Sequence, residues 1–390
     1  MLTKCEVCGN KIRTVYKLPH EDIVGMVHGK YIQYIGICDT CGLVITQNPF
    51  SEEQLSNRYI NFSKFEYDKD DYFLDETSEY MQRSQQQEHF ICDYTKDIHS
   101  VLEVGAASGY NLSLYQKRGC QCLGIEPSKA NCDLAKENYG IDMFNGVFQE
   151  YIHQPNPTLF DLILLSMTLE HIVHPYLFIL SCKNINSKYI FIEVPTMDMK
   201  LLDEPMGMFC EEHVNYFTFE GLYNLMKAAG YALVKAEVPV GIEKRLPAGW
   251  PALDTLWEKN HHADNIVPII SSAQILDAYI KANELLLRQV RTKIQNISPD
   301  ERLAVWGAGH HVSMLLGNTD LGRKNIVWFY DSDRRKYDWP MWGKPIKAFN
   351  IIDVCDKKID AILIGSYIYQ EEIYNKLRAY SDTVKIYTLY

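Results

Sequence analysis

Two cysteine pairs lie in the first forty-odd residues. Cys5-Glu6-Val7-Cys8-Gly9 and Cys38-Asp39-Thr40-Cys41-Gly42 repeat one spacing, C-x-x-C-G. Two thiolates three positions apart can grip one tetrahedral ion, and the following glycine lets backbone amides turn toward the sulfurs. Two pairs supply four ligands. Four thiolates close the shell around zinc and leave no position for water or substrate, so the expected metal is structural. A redox pair rarely comes in matched duplicate, which favours zinc over thiol exchange. The residues between the pairs, including Tyr31-Ile32-Gln33-Tyr34-Ile35, read as strand, as in a zinc ribbon. The other seven cysteines, at 92, 120, 122, 132, 182, 210 and 355, show no ligand spacing and are expected mostly as buried small apolar groups.

A second constellation surrounds a glycine turn. Glu103-Val104-Gly105-Ala106-Ala107-Ser108-Gly109 follows an apolar strand and precedes a helix. Gly105 and Gly109 allow close approach of backbone to a ligand. The next strand delivers Glu126, whose carboxylate can accept both hydroxyls of an adenosine ribose. These features alone suit a nicotinamide dinucleotide nearly as well. Glu103 tips the balance. An acid just before the turn would repel a pyrophosphate and attract the cationic amino-acid end of S-adenosylmethionine. Further on, Glu211-Glu212-His213 sets acids beside a histidine, which can take a proton near neutral pH. His171, in Leu169-Glu170-His171-Ile172, is a second candidate. Each histidine read alone is more readily a structural residue tying a loop to a sheet.

These residues need a scaffold, and the pattern supplies one. A polar helix is expected near 80–97. Strands are expected at Ser100–Val104, Gln121–Ile125, Phe160–Leu165 and Tyr189–Val194, alternating with helices. That alternation implies an α/β fold with a parallel sheet covered on both faces. Residues 241–262, with Pro247, Gly249, Trp250 and Pro251, read as a loop or lid. Residues 272–297 read as one long helix with Ile275, Leu276, Tyr279, Ile280, Leu285, Leu286 and Val290 on one side. Leu303–Gly309 again gives a strand and glycine turn, with further strands ending at Asp331 and Gly365. The pair Gly307-x-Gly309 lacks a third glycine, since Val312 stands there, so the dinucleotide signal is weak. This module is either a support for the core or a platform for a nucleotide lined by Gly307, Gly309, His310, His311 and Asp331. Four segments are expected: 1–75 zinc-binding, 76–245 central, 246–298 lid and linker helix, and 299–390 a smaller Rossmann-like module.

Composition narrows the function. The 390 residues are 47% apolar and 23% charged, normal for globular domains. The net charge of -11 argues against a general nucleic-acid binder. No long apolar run suggests a membrane span, and no signal peptide opens the chain, so a cytoplasmic protein is expected.

Over roughly 100–240 these motifs resemble class I S-adenosylmethionine-dependent methyltransferases. The resemblance implies that Phe148 or Gln149 lies near the adenine and Ser166 and Met167 near the methionine part, with Leu169–Ile172 as a cofactor-facing loop. The order of cysteine module, methyltransferase core and C-terminal Rossmann-like module is similar to nucleotide-sugar C-methyltransferases of deoxysugar pathways. The residues that carry it are Cys38 to Leu43, Tyr59-Ile60-Asn61-Phe62-Ser63 and Cys210–His213 before Tyr216-Phe217-Thr218. It implies a sugar nucleotide as substrate, Glu212 and His213 as the base with His171 nearby, and Tyr59, Tyr216, Gly307, Gly309 and Asp331 on the substrate. Cys210 and Glu211 stand where that family has Tyr and His, and Asn61 where it has a second Tyr. A sugar O-methyltransferase of surface-polysaccharide biosynthesis therefore stays open, as does an inactive zinc-ribbon binding protein. The expected assembly is a monomer or weak homo-oligomer.

Overall fold

The computed structural model describes residues 1–62, 79–154, 158–198, 205–237, 251–259 and 270–390. Two long strands come first, β1 (Arg13–Ile23) and β2 (Val27–Ile37), joined as a hairpin. A short strand β3 (Val44–Thr46) follows the second cysteine pair, and helices α1 (Glu52–Phe62) and α2 (Glu79–Tyr94) lead into the central sheet. That sheet alternates β4 (Ser100–Val104), α3 (Tyr110–Lys117), β5 (Gln121–Glu126), α4 (Lys129–Tyr139), β6 (Asp142–Asn145), α5 (Phe148–Ile152), β7 (Phe160–Ser166), α6 (Pro175–Ile185) and β8 (Asn186–Pro195). A two-residue strand β9 (Asn215–Tyr216), helix α7 (Phe219–Ala228), β10 (Tyr231–Glu237) and β11 (Ala252–Lys259) complete the middle of the chain. The chain groups into two compact units that interleave in sequence. The first holds 1–13, 36–201 and 212–276, and the second 14–35, 202–211 and 277–390.

In the first unit seven strands run in the order β10-β11-β8-β7-β4-β5-β6. The five strands β8 to β6 are parallel, as the alternation of strand and helix predicts. Leu162 to Leu165 are all fully buried, the mark of a strand covered on both faces. Side chains alternate between two cores. Val101, Leu162, Leu164 and Phe191 pack with Ile91 of α2 and Leu112 and Tyr115 of α3. Leu102, Ile163, Leu165 and Ile190 pack with Phe178 of α6 and Leu222 and Leu225 of α7. Helix ends are capped where the sequence permits. Ser128 accepts from Asn131 N–H at the head of α4, and Thr218 accepts from Gly221 N–H at the head of α7.

Two expectations need correction here. The sheet is mixed, because β10 and β11 pair antiparallel at its edge. And β11 falls inside the segment read as a loop or lid. Its residues Leu253, Thr255, Leu256 and Trp257 are buried against β8. The turn-forming Pro247, Gly249, Trp250 and Pro251 drew attention away from this strand; the first three lie outside the described residues.

In the second unit a parallel five-stranded sheet has the order β14-β13-β12-β15-β16. Its strands are β12 (Leu303–Trp306), β13 (Ile326–Tyr330), β14 (Ile346–Lys347), β15 (Ala361–Ile364) and β16 (Lys385–Thr388). The helix before it, α8 (Ser272–Gln295), buries Leu276, Tyr279, Asn283, Leu287, Val290 and Ile294, a spacing of three or four. Leu285, expected on that face, is exposed, and Leu287 takes its place. Helices α9 (His310–Asn318), α10 (Ile351–Cys355) and α11 (Gln370–Leu377) cover the sheet. The β1–β2 hairpin belongs to this unit for most of its length. Asn318 Nδ2 donates to Pro19 O at 2.7 Å, and Trp342 N–H donates to Asp22. No helix among the described residues is long and apolar enough to cross a membrane.

Candidate active site

The turn after β4 has the geometry that its glycines suggest. Gly105 and Gly109 both take φ of +76°, which a side chain rarely adopts. Their freedom serves the protein as well as a ligand. A Cβ on Gly105 would sit 2.8 Å from Thr168 Oγ1, and one on Gly109 would sit 2.9 Å from the Ala135 side chain of α4. The glycines thus let the β7 loop and α4 close around the turn.

Glu126 ends β5 and faces that turn. Its carboxylate accepts from Ala107 N–H at 3.0 Å and Ser128 N–H at 2.9 Å, one on each oxygen. Each oxygen keeps a lone pair, so two ribose hydroxyls still fit. Burial raises its pKa from the ordinary carboxylate value. Glu103, the last but one residue of β4, is buried and accepts from Asn111 Nδ2 at 2.8 Å. Its other oxygen, Oε2, has no hydrogen-bond partner among the described residues. Burial pushes its carboxyl up to about 8, against the pull of Asn111 and Arg83. A buried carboxylate oxygen left without a donor is what the ammonium of an amino-acid ligand would satisfy.

Helix α2 carries residues that sequence reasoning missed. Arg83 and Gln87, one turn apart, both bind Glu193 of β8, Arg83 Nε at 2.8 Å and Gln87 Nε2 at 2.7 Å from Oε2. Gln87 Oε1 accepts from Ser166 Oγ at 2.9 Å and Asn111 Nδ2 at 3.4 Å. This polar network links Ser166, one of the residues expected near the methionine part, to Glu103 through Asn111. The pattern gave little signal, because Arg and Gln on a polar helix look solvated until the strand that pairs them is known. Met167 follows with φ of +52°, and its N–H donates to Glu193 O. Gln149 is half-buried at the head of α5, whereas the Phe148 ring lies in the core, 4.7 Å from the Phe178 ring. Phe148 is therefore a packing residue, which leaves Gln149 as the adenine-side candidate.

Beyond Met167 the chain makes a short helical turn, Leu169–His171. Val214 N–H donates to Glu170 O at 2.8 Å, and Asn215 Nδ2 donates to Leu169 O and Ile172 O. These bonds bring His213 to the turn. The His171 and His213 rings meet edge to face at 4.9 Å. Glu170, His171 and His213 each offer a ligand atom within 4.8 Å of the others. Glu212 was expected to orient His213. Its carboxylate instead accepts from Arg58 Nε at 2.6 Å, and its carbonyl meets His171 Nδ1 at 3.1 Å. The acid beside His213 is Glu170, which the sequence reading passed over. Tyr216 was expected on the substrate. It is fully buried, and its hydroxyl is shared between His213 O and Thr46 Oγ1. The Tyr59 side chain lies outside the described residues.

The cysteine knuckles belong to the same unit. Cys5 and Cys41 sulfurs are 3.4 Å apart, as are those of Cys8 and Cys38, and all four fall within 4.8 Å. Tetrahedral zinc–sulfur bonds of about 2.3 Å place sulfurs roughly 3.8 Å apart, so the four fit one ion. Each knuckle repeats the same turn. Gly9 N–H donates to Cys5 O and Gly42 N–H to Cys38 O, with φ near +75° at both glycines. Glu6, inside the first knuckle, accepts from Tyr176 N–H at the head of α6. Asn224 of α7 donates to Cys41 O. Of the remaining cysteines only Cys132 and Cys182 are fully buried; Cys355 is exposed and the other four are intermediate.

In the second unit Ala308 N–H donates to Asp331 Oδ2 at 2.9 Å, the same acid-to-turn bond as Glu126 makes with Ala107. Lys336 Nζ also lies 2.9 Å from that oxygen. Gly307 has φ of +118° and Gly309 caps α9 in extended backbone. His310 is paired with Glu211 and lies 5.3 Å, ring to ring, from the fully buried His20. His311 bonds the Tyr390 hydroxyl.

Residues 72–236 match the model of a known family described as a methyltransferase domain. The middle of the chain is an S-adenosylmethionine-dependent methyltransferase domain. No curated protein matches the chain. Among solved structures it is similar to a methyltransferase from Archaeoglobus fulgidus, with 18% identity and a TM-score of 0.40 over 49% of this chain and 100% of that one. It is also similar to an amino pentose methyltransferase from Micromonospora echinaspora, with 12% identity and a TM-score of 0.37 over 47% and 93% of the two chains. Glu103, the Gly105–Gly109 turn and Glu126 all lie within the matched residues.

Proposed function

We propose that this methyltransferase acts on a nucleotide-activated keto-deoxy sugar, with zinc on Cys5, Cys8, Cys38 and Cys41 and the acceptor beside Glu170, His171 and His213. The observation that carries the acceptor site is the pairing of a buried acid with two histidines just past Ser166 and Met167, at the carboxyl end of β7. Ligands of open α/β sheets bind at that edge. The sugar-nucleotide reading rests on the sequence resemblance and is supported by the second unit, whose Gly307–Gly309 turn and Asp331 repeat the first turn's architecture. Bound S-adenosylmethionine supplies an electrophilic methyl group. Glu103 would hold its ammonium and Glu126 its ribose. The chain's own task is then to remove one proton from the acceptor as the methyl arrives, and His213 is placed to receive it. For carbon methylation that proton comes from the carbon next to the ketone, leaving an enolate whose carbon takes the methyl.

A second reading, methyl transfer to a sugar hydroxyl, is favoured by one observation. The Glu212 carboxylate pairs with Arg58, and the acid grouped with His213 is Glu170.

The test uses candidate keto sugar nucleotides in deuterated water. Carbon methylation predicts deuterium exchange next to the ketone in wild-type enzyme, and His213→Asn removes both exchange and methylation. Ether formation predicts no exchange and a methyl carbon bonded to oxygen by NMR. A His213→Asn enzyme working at full rate would assign the histidine to structure alone.

A further inference from the structure

We propose that Glu170, His171 and His213 form a binding site for one divalent metal ion, separate from the cysteine cluster. The binding of the ion stands on the geometry alone; the role given to it rests on the function proposed above.

Glu170 is 1% exposed, and neither of its carboxylate oxygens has a hydrogen-bond partner among the described residues. A buried carboxyl with both oxygens unsatisfied is costly, and a bound ion is one way to satisfy it. What faces it is informative. His171 Nδ1 lies 3.1 Å from the Glu212 carbonyl, an acceptor, so that nitrogen carries the hydrogen. In the neutral ring Nε2 then presents its lone pair, and it lies 3.6 Å from Glu170 Oε1. With the ring neutral and Glu170 ionised, two acceptors face each other; with the ring protonated the two form an ion pair. The gap exceeds the hydrogen-bond reach of roughly 3.2 Å, so a shared proton spans it poorly. It is close to the roughly 3.4 Å between two ligands of one tetrahedral ion bound at about 2.0–2.2 Å.

The third ligand comes from the segment just before β9. Val214 N–H bound to Glu170 O fixes the adjacent His213, whose ring stands edge-on to His171 at 4.9 Å. Two histidines and one carboxylate on a backbone clamp make a three-ligand set that leaves positions open. The carbonyl of Glu212 serves as the outer partner that ligating histidines usually have. His171 keeps 20% of its side-chain surface exposed, so the open positions are reachable from solvent. An ion there would hold a hydroxyl or keto oxygen of the acceptor and make the neighbouring proton easier to lose; with His213 bound to the ion, that proton would pass to a hydroxide on the ion, and His213 would take it directly only in the ion-free chain.

The experiment uses the full chain with its cysteine cluster loaded with zinc, titrated with cobalt(II) and followed by absorption and by equilibrium dialysis. The expected result is one further cobalt per chain, with weak visible bands and no thiolate-to-cobalt charge transfer. Glu170→Gln, nearly the same shape, should weaken that binding at least tenfold, and so should His171→Asn. Circular dichroism and thermal melting confirm that the variants are folded. If a variant fails to fold, the other, together with His213→Asn, carries the comparison. No cobalt beyond the cysteine cluster, or equal uptake by folded variants, overturns the site. A chain that binds the ion yet methylates no sugar nucleotide would instead overturn the proposed function and leave the site standing.

Discussion

Glu103 is a buried carboxyl whose free value stands at about 8, with one oxygen lacking a donor. At neutral pH it is mostly protonated before ligand arrives. An ammonium placed against it favours the ionised form, so its value falls on binding. Between the two values binding sheds a proton. Affinity for S-adenosylhomocysteine therefore rises with pH toward 8, by at most about tenfold per pH unit. Calorimetry below about pH 7.5, where the ligand's own amino group stays charged, in buffers of different ionisation heat, checks both slope and proton release. Glu103→Gln should flatten the slope; an equal slope in the variant would assign the proton elsewhere. The residues of this site differ in how readily sequence shows them. Gly105, Gly109 and Glu126 are readable because a strand, a turn and the next strand end are local events. Gln87 and Glu193, 106 positions apart, are not, because only the folded sheet makes them neighbours.

At the level of elements, the cysteine knuckles connect to the proposed acceptor edge through a short rail. The second knuckle runs into β3, β3 pairs antiparallel with β9, and His213 precedes β9 by two residues. Thr46 N–H donates to Val214 O, and the Thr46 hydroxyl meets His213 O. Removing the metal should loosen this rail before it disturbs the cofactor turn, which is built from β4, β5 and α4. Cys38→Ser is expected to drop zinc from about one per chain to well under one, because ion binding and local folding are coupled. Methyl transfer should fall by at least tenfold while S-adenosylhomocysteine still binds. Metal analysis, calorimetry and a transfer assay on one preparation test this, and full zinc content in the variant would remove the cysteine assignment. The strand β11 shows why some elements escaped prediction. Leu253, Thr255 and Trp257 alternate with Asp254, Leu256 and Glu258, a strand pattern, but the proline and glycine just before it suggested a loop.

At the scale of the molecule, sequence suggests segments in a row, whereas the contacts form two units that each draw on distant stretches. Short-range patterns cannot show this, since nothing in the hairpin residues 14–35 names a partner beyond 277. The second unit has its own acid sensitivity. His20 is fully buried, Nε2 lies 3.3 Å from Gln33 Oε1, and its pKa is pulled down to about 4 by burial and by His310, against Glu211 and Gln33. Since the folded value lies below the ordinary 6.5, the unfolded chain takes up the proton first as pH falls. Stability present above about 6.5 is therefore lost progressively down to about 4, on the order of 3 kcal/mol in all. Urea melts at neutral and acid pH report it by fluorescence, because four of the six tryptophans lie beyond residue 300. His20→Gln should remove most of the slope, and a variant as acid-sensitive as wild type would place the effect on other groups.

The hairpin in that second unit sets a schedule for the newborn chain. Residues 14–35 leave the ribosome early, but the rest of their unit is encoded mainly after residue 277. At roughly 5–20 residues per second, the hairpin waits on the order of tens of seconds for its partners. Through that interval Leu18, His20 and Ile23, all buried in the finished protein, wait for the later part of their unit. Slower translation lengthens the wait, and a circular permutant that begins near residue 277 and joins residue 390 to residue 1 would shorten it, so yield of folded protein should depend on gene order while the mature structure does not.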